Sequence, residues 1–463
     1  MWATFSVVLL PLLAIGAFGY FWVLPHKARY VGSLVDVDVL QRVPYAAAAI
    51  ALVWLLAVLA AHRLTRLHQA SSGGAKTLSR AFTSLMCLVV ALPLMVGGWY
   101  AWLTREGIMA TAKDEVSATT PTLPAATATE DPWGGRNRIN IMLLGGDGGV
   151  GREGIRTDTV IVASLNVRNG RTTIFSLPRN LRNVPFPATS PLAKIYPYGF
   201  NGNGDAGEYM LNAIYRNIPA LHPGVLGKSD NEGADALKQG VSGALGIPID
   251  YYVLVNLRGF RDIVDAIGGI TVNINRPIPI NGDTDRHIPP TGYLKPGPNQ
   301  RLDGYHALWY ARGRWGLSDY DRMERQRCAL SAIVAEANPG NLLLRYAGLA
   351  RAAKKILRTD IPRHLLPHLA EVALLMKDHP LRSVVFQHTA TFDPNNPDYA
   401  YMHEKVRRAL RPPRPHPTLT PSGSPTGKPS KTPKPTPTPG EGVTSTDDVC
   451  GYHLITTQPA SPY

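Results

Sequence analysis

The chain has 463 residues and a formal net charge of +14 at pH 7. Its length allows two or three domains. A charge of this size is common in proteins that bind nucleic acid. A domain outside the cell, as the apolar runs and loop charges predict, does not meet nucleic acid, so an anionic lipid surface or a phosphate-bearing substrate is the favoured partner.

Three uncharged apolar runs lie near the N-terminus, at residues 4–25, 43–61 and 81–103. Each is close to the roughly 20 apolar residues that cross a bilayer as a helix. A cleaved signal peptide could explain the first run alone, but that run lacks a basic N-terminal region. The sequence therefore predicts that residues 1–103 form three transmembrane helices with short loops.

Basic residues in the short loops set the orientation of these helices. The loop at residues 62–80 carries four lysines and arginines and no acid, whereas the loop at residues 26–42 mixes basic residues with two aspartates. The loop at 62–80 is therefore expected in the cytoplasm. This places the N-terminus inside and everything after residue 103 outside the cell, in a multi-pass protein of the cell membrane.

Composition divides the rest of the chain. Residues 104–135 are rich in Pro, Thr and Ala and predict an extracellular linker. Residues 136–410 predict a globular domain that ends in helices. Residues 411–445 are rich in proline and predict a disordered linker. Residues 446–463 form a short terminal segment, in which 449–458 is expected to return as a strand.

The chain has three cysteines. Cys87 lies in the third apolar run, whereas Cys328 and Cys450 are both predicted outside the cell, where a disulfide can persist. The two alternatives are a Cys328–Cys450 bridge and two unrelated free thiols.

The globular part begins with three predicted strands in quick succession, at residues 139–144, 158–166 and 171–178. The stretch "VRNGR" between the second and the third is typical of a hairpin turn. These short connections predict that the three strands are neighbours in one sheet.

A strand, a helix and a strand follow further along the domain. Residues 251–257 predict the first strand. One face of the helix is formed by Phe260, Ile263, Val264 and Ile267. Residues 270–275 predict the next strand, and Ser318 with Asp321 predicts a capping box for a later helix. This order predicts an α/β fold with a mixed central sheet flanked by helices.

The stretch "GGDGGVG" after the first strand contains a G-x-G-x-x-G pattern. A dinucleotide-binding loop requires a helix to follow, whereas the next residues are β-branched and typical of a strand. The stretch therefore reads as a loop between strands, with Asp147 at the end of the first and Asp158 at the start of the second. Carboxylates suit Mg²⁺ together with phosphate oxygens, and Arg156 would share a strand face with Asp158. The alternative is that both aspartates are turn residues and that Arg156 pairs with one of them.

Arginines are concentrated in two other motifs. Arg179 ends the third strand, beside the ends of the first two. Residues 312–327 contain Arg312, Arg314, Arg322, Arg325 and Arg327. The spacing of Arg322, Arg325 and Gln326 predicts that they share a helix face. Arginine forks bind phosphate oxygens with paired hydrogen bonds and stay charged. A solvated basic helix face is the alternative, but it leaves Arg312 and Arg314 unexplained.

These motifs resemble those of one family, the LytR–CpsA–Psr phosphotransferases of Gram-positive envelopes. The matching stretches are "NIMLLGGDG", "IRTDTVIVASLN", "SLPRNL", "IDYYVLVNLRGFRDIVDAIGGITVNI" and "LDGYHALWYARGRWGLSDYDRMERQRCAL". They occur in the family's order within residues 136–337. The N-terminal helices and the proline-rich tail are similar to the high-GC Gram-positive branch.

The resemblance implies a transferase that moves a glycopolymer from a polyprenyl-pyrophosphate carrier onto peptidoglycan as a phosphodiester, at a membrane. It implies Mg²⁺ or Mn²⁺ held by Asp147 and Asp158, which with Arg156 and Arg179 would be catalytic. The implied pyrophosphate ligands are Arg156, Arg179, Arg312, Arg314, Arg322 and Gln326, with Arg325 in support. It also implies an apolar lipid pocket between the sheet and the helices. These roles agree with the chemistry, because cleavage of a pyrophosphate depends on neutralising charge on its oxygens. A carboxylate could accept the proton of the attacking hydroxyl.

One residue departs from the family's pattern. The family often has Asp after the Pro–Arg pair, whereas this chain has Asn180, so no role is assigned to a carboxylate there. Two other functions stay open. A lipid-pyrophosphate hydrolase would use the same site with water as the acceptor, and a non-enzymatic envelope regulatory protein would leave the site idle. The sequence does not name the polymer.

Overall fold

A computed structural model describes residues 20, 32–33, 36–66, 73–111, 115–121, 131–146, 157–283, 287–336, 357–411 and 444–455. Among the described residues, the first two long helices are α1 (Val37–Arg66) and α2 (Gly73–Thr111), and they pack against each other. Within them, Val37–Leu64 and Arg80–Met109 are long and apolar enough to cross a membrane, by length and composition. The first predicted span, residues 4–25, lies outside the described residues except for Tyr20.

Both helices are longer than the sequence predicts. Helix α1 begins at Val37 instead of 43, and α2 continues to Thr111, through the start of the predicted linker at 104. An apolar run marks the part of a helix that can lie in lipid. It does not mark the helix ends, because helical hydrogen bonding continues into polar residues until a cap or water replaces it.

The described strands are β1 (Arg138–Gly146), β2 (Thr157–Asn166), β3 (Thr172–Leu177), β4 (Tyr251–Asn256), β5 (Ile270–Ile274), β6 (Ile278–Ile280), β7 (Gly292–Leu294), β8 (Gly297–Leu302), β9 (Leu357–Thr359), β10 (Arg382–Val385) and β11 (Thr444–Ser445). Seven of them form one sheet in the order β11–β10–β3–β2–β1–β4–β9. Strand β1 pairs antiparallel with β2 and parallel with β4. Strand β3 pairs antiparallel with β2 and parallel with β10. The predicted mixed sheet is therefore confirmed.

The described helices of the domain are α3 (Pro191–Ile195), α4 (Leu211–Leu221), α5 (Glu232–Leu245), α6 (Leu257–Ala266), α7 (Gly304–Arg312), α8 (Asp319–Glu336), α9 (Leu366–Met376), α10 (Tyr399–Leu410) and α11 (Thr446–Val449). The predicted capping box starts α8. The Asp321 amide donates to Ser318 Oγ at 3.1 Å, and the Ser318 amide donates to Asp321 Oδ2 at 3.1 Å.

Side chains alternate between the two faces of the central sheet. On one face, Met142, Val162 and Phe175 pack in a core with residues of α4, α5 and α10. On the other face, Ile141 and Ala163 belong to a core that includes residues of α9. Two small sheets, β5–β8 and β6–β7, pack with α6, α7 and α8 in a third core.

Part of the predicted linker at 104–135 is instead bound to the domain. We call residues 115–121 the docked linker. Ser117 Oγ and Thr119 Oγ1 both donate to the buried carboxylate of Asp235 on α5. Thr120 Oγ1 donates to Asp360 Oδ2 at 2.8 Å. Composition did not reveal this docking, because the partners lie more than 100 residues further along the chain.

The C-terminal segment also differs from its predicted form. The expected strand at 449–458 is not formed in its described part: residues 446–449 form α11, and 451–455 form no strand. The returning strand is β11, inside the predicted disordered linker at 411–445. Its Thr444 and Ser445 pair with Ser383 and Arg382 at the edge of the sheet.

Candidate active site

The ends of three neighbouring strands meet at one edge of the sheet. Gly146, the last residue of β1, is aligned with Asn256 at the end of β4 and with Thr157 at the start of β2. Gly145 is required here, because a Cβ atom at this position would lie 2.9 Å from Thr159 Cβ. The strand ends therefore present their side chains to a single region.

Asp158 and Arg179 form an ion pair at this edge. Arg179 Nη1 lies 2.8 Å from Asp158 Oδ1, although the residues are 21 positions apart. Partial burial raises the pKa of the Asp158 carboxyl, but the guanidinium groups of Arg179, Arg322 and Arg314 outweigh burial and hold this pKa below its usual value. Asp158 is therefore an ionised carboxylate among cations at neutral pH.

Asp319, at the start of α8, joins three arginines. Its Oδ1 atom lies 2.9 Å from Arg322 Nη2 and 3.8 Å from both Arg179 Nε and Arg314 Nη1. Sequence analysis missed this carboxylate. Its position three residues before Arg322 is a signal that could have identified it, because residues at i and i+3 are neighbours on a helix surface.

The side chains of Arg322 and Gln326 of α8 contact the first residues of β2. Arg322 is buried and donates through Nη2 to the Asp158 carbonyl at 3.0 Å. Gln326 Nε2 donates to Thr159 Oγ1 at 2.8 Å. Burial lowers the pKa of Arg322, whereas Asp319 and Asp158 raise it. Both side chains are held in place by protein groups before any ligand binds.

Arg325 lies in a different position from the one predicted. Its guanidinium is buried and donates to the main-chain carbonyls of Tyr310, Gly313 and Asp321. Successive helix residues are about 100° apart around the helix axis, so the side chains of Arg325 and Gln326 point in different directions. Of these two, Gln326 is the one that reaches the site. Burial lowers the pKa of Arg325 to about 10, which leaves it charged at neutral pH. Arg325 therefore supports the loop after α7, which carries Arg314.

Arg312 and Arg314 approach the site from the end of α7. Arg312 lines the cavity described below, and its guanidinium lies 5.4 Å from the centre of the Trp309 ring. Arg314 faces Asp319, as noted above. Asp147 and Arg156 lie outside the described residues. The segment that contains them joins Gly146 to Thr157, which are paired.

A cavity of about 330 Å³ leads away from the arginines, between the sheet and helices α6, α7 and α8. Its lining is mostly apolar and includes Leu143, Ile161, Val253, Val255, Phe260, Ile263, Leu308, Ala329, Leu330 and Ile333. Asp158, Arg312, Arg322 and Gln326 also line it. The shape and chemistry fit an amphiphile with an apolar chain and an anionic head group.

A model of the LytR_cpsA_psr family matches residues 107–409, which is more than half of the chain. The chain belongs to this family. It is 30% identical over 229 residues to the polyisoprenyl-teichoic acid–peptidoglycan teichoic acid transferase TagU of Enterococcus faecalis, covering 48% of this chain and 61% of that protein. It is 26% identical over 299 residues to the cell wall biosynthesis protein LcpA of Corynebacterium glutamicum, covering 60% of this chain and 54% of that protein.

The crystal structure of Bacillus subtilis TagV is similar to 59% of this chain and 96% of its own length, with 26% identity and a TM-score of 0.40. The matched part of the chain spans between half and two thirds of the length of the E. faecalis and C. glutamicum relatives.

Of the two alternatives for Cys328 and Cys450, the structure forms the disulfide. Cys328 of α8 is bonded to Cys450, with the two Cα atoms 5.5 Å apart. Asn273 Nδ2 donates to the Cys450 carbonyl at 2.9 Å. The C-terminal segment is thereby fixed to the helix that carries Arg322 and Gln326.

Proposed function

We propose that this protein transfers a glycopolymer from a polyprenyl-pyrophosphate carrier onto peptidoglycan. The observation that carries the proposal is the apolar cavity, which begins at the cluster of Asp158, Arg312, Arg322 and Gln326. The polyprenyl chain would occupy the cavity, and the pyrophosphate would lie at the cluster. The printed name of the E. faecalis relative describes the same kind of donor and acceptor.

The transfer itself needs no oxidant or covalent enzyme intermediate. An acceptor hydroxyl oxygen would attack the phosphorus that bears the glycopolymer. A bond forms between them while the bond from that phosphorus to the bridging oxygen breaks, and polyprenyl phosphate leaves. The proton of the hydroxyl would pass to a carboxylate or to water. Arg179, Arg312, Arg314 and Arg322 would stabilise the charge that develops on the phosphate oxygens.

Asp158 has the properties of a Mg²⁺ or Mn²⁺ ligand, because it is an ionised carboxylate at a strand end. Hard divalent cations prefer such oxygen ligands. Asp158 would hold the ion together with Asp147, and the bound ion would neutralise charge on the pyrophosphate. Arg156 would bind the same pyrophosphate. Among the described residues, no group of three or more acidic, histidine or cysteine side chains is placed to hold a metal.

The same proposal includes the membrane anchor. Helices α1 and α2 would cross the membrane, together with a third span at residues 4–25. The domain would lie outside the cell, where peptidoglycan is the acceptor and bilayer lipids hold the carrier.

The test is an assay of the purified full chain in detergent with a synthetic lipid-pyrophosphate glycan, with and without uncrosslinked peptidoglycan. We expect mass spectrometry to find a phosphodiester-linked product only when peptidoglycan is present. Release of a phosphorylated glycan at the same rate with and without peptidoglycan would instead identify a hydrolase. No turnover of the donor under either condition would refute an enzymatic role.

A further inference from the structure

The chain turns away from the site after Arg179 and comes back to it at Asn212. We call residues 181–211 the excursion. The Leu211 amide donates to the Leu181 carbonyl at 2.9 Å, and the Asn212 amide donates to the Arg179 carbonyl at 3.1 Å. Arg182 and Met210 are paired as a β-bridge. This excursion is therefore anchored at both ends to the segment that carries Arg179.

The excursion packs on the sheet face opposite the lipid cavity. Its Leu181, Val184 and Phe200 share a core with Val160 and Val162 of β2. The cavity is lined instead by Ile161 of β2 and by Leu143 of β1, and Leu144 borders both the cavity and this core. Successive side chains point to opposite faces of a sheet. The edge of the sheet that carries Asp158 and Arg179 lies between the excursion and the cavity.

In-line displacement places the attacking and leaving oxygens on opposite sides of phosphorus. If the leaving lipid phosphate lies on the cavity side of the edge, the attacking hydroxyl must approach from the other side. The excursion lies on that side. This argument rests on the proposed function, because it takes the cavity as the site of the lipid.

The excursion presents an exposed aromatic side chain on a rigid support. Tyr198 is 85% exposed, whereas its neighbours Tyr196 and Phe200 are buried with their ring centres 5.3 Å apart. The Phe200 amide donates to the Val184 carbonyl at 2.8 Å. Gly199 has a φ of +84°, and a Cβ atom there would lie 2.2 Å from the Asn183 carbonyl oxygen. The backbone that displays Tyr198 is therefore fixed by tertiary contacts.

The residues after this support are polar and exposed. Positions 201–206, with the sequence "NGNGDA", are all exposed, and Asn201 Nδ2 donates to the Tyr198 carbonyl at 3.2 Å. Rigid tyrosines beside Asn- and Gly-rich segments supply contact area together with adaptable hydrogen bonds. This is the chemistry that recognises a saccharide, whose ring offers an apolar face and a rim of hydroxyl groups.

We infer that the surface formed by Tyr198 and residues 201–206 binds the glycan strand of the acceptor. Val184 is five residues from Arg179 and therefore lies within about 17 Å of it along an extended chain. Phe200, which lies between Tyr198 and residues 201–206, is paired with Val184. A polymeric acceptor can contact both places at once. Binding energy from such remote contacts helps to orient the reacting hydroxyl.

The test compares Tyr198→Ala with Tyr198→Phe and with Tyr452→Ala, which alters an exposed tyrosine in the C-terminal segment. Initial rates of the full chain in detergent are measured against soluble peptidoglycan glycan strands, and separately against the lipid donor. Binding to insoluble peptidoglycan is measured by co-sedimentation without donor. We expect Tyr198→Ala to raise the KM for the acceptor about two- to twelvefold, to weaken co-sedimentation and to leave the KM for the donor unchanged. Tyr198→Phe and Tyr452→Ala should behave like the parent.

An unchanged acceptor KM and unchanged co-sedimentation in Tyr198→Ala would overturn the inference while leaving the proposed function intact. If the parent protein transfers nothing, the proposed function fails. Co-sedimentation then decides the inference by itself, because a glycan-binding surface would still require Tyr198. Equal melting temperatures of all variants exclude misfolding as the cause.

Discussion

Asp319 determines how the cationic residues are arranged before substrate binds. Arg179, Arg314 and Arg322 all lie within 4 Å of its carboxylate, and such a group of like charges would otherwise repel. Asp158 provides the second negative charge, through its ion pair with Arg179. The site is therefore pre-organised by two carboxylates from separate segments. A bound pyrophosphate would take over part of the charge neutralisation that Asp158 and Asp319 provide to the arginines.

Arg179→Lys is expected to lower turnover severely. Lysine keeps the positive charge but loses the planar fork that can bind two oxygens at once. Loss of one such contact to a developing oxyanion costs about 2.7–4 kcal/mol, or about a hundred- to a thousandfold in rate. The measurement is the rate constant for turnover of a lipid-pyrophosphate donor. Arg216→Lys, which changes an arginine that lies near Glu208, is the control. Near-parent turnover of Arg179→Lys would contradict the proposed site.

The pH dependence of stability should reflect the lowered pKa of Asp158. A carboxyl whose folded-state pKa lies below its unfolded value contributes stability above the unfolded value, about 3.9. This contribution is lost as the pH falls through the lower, folded-state pKa. Melting temperatures of the parent and Asp158→Asn should therefore differ by a constant amount from pH 5 to 7, and the gap should close only below about pH 3.9. A gap that closes already between pH 5 and 6 would show that the pKa is raised instead.

At the scale of elements, helix α8 connects the site to the C-terminal segment. It carries Asp319, Arg322 and Gln326 near one end and Cys328 further along. The disulfide and strand β11 hold the C-terminal segment against α8 and against β10. Helix α8 is thus constrained through Cys328, which lies on a different face of the helix from Gln326.

Cys450→Ser should destabilise the domain while leaving its active-site side chains intact. The disulfide closes a loop with a sequence separation of 122 residues, and removal of a native disulfide typically costs about 2–5 kcal/mol. The melting temperature measured without reductant should fall in Cys450→Ser and should no longer respond to dithiothreitol. Cys87→Ser, which removes the free thiol of α2, should leave the melting temperature unchanged. If dithiothreitol left the melting temperature of the parent protein unchanged, the stabilising role of the disulfide would be contradicted.

The docked linker is a second element whose contribution can be measured. Asp235 accepts hydrogen bonds from Ser117 Oγ, Thr119 Oγ1 and the Ala118 amide. In Asp235→Asn the amide nitrogen would face some of these donors, and a buried unsatisfied group costs about 1–3 kcal/mol. We expect a lower melting temperature and faster proteolysis between residues 112 and 135. Asp393→Asn, at an exposed carboxylate, is the control, and equal proteolysis of the two variants would argue against docking in solution.

At the scale of the whole molecule, the orientation in the membrane decides which substrates the domain can meet. The all-basic loop at residues 62–80 predicts that a reporter fused after His68 is cytoplasmic and that one fused after Thr122 is external. The measurement is paired reporter activity in cells. Labelling of a cysteine introduced at Gly74 by a membrane-impermeant reagent would contradict the predicted topology.

Features that are encoded locally could be predicted from the amino-acid sequence. Sequence patterns set strands β1 to β4 of the central sheet to within two residues, whereas β9, β10 and β11 were not predicted. Ser318 and Asp321 set the start of α8, and short connections placed Asp158 beside Arg179. Other features depended on elements that are distant in the chain. Asp319 meets Arg179 across 140 positions. Arg325 turns toward main-chain carbonyls at the end of α7, and the cavity is a space left between the sheet and three helices. A local pattern fixes which face of an element is buried, but a cavity, a docked linker or a cluster of like charges depends on which surfaces meet when the elements pack. Only the tertiary structure decides that.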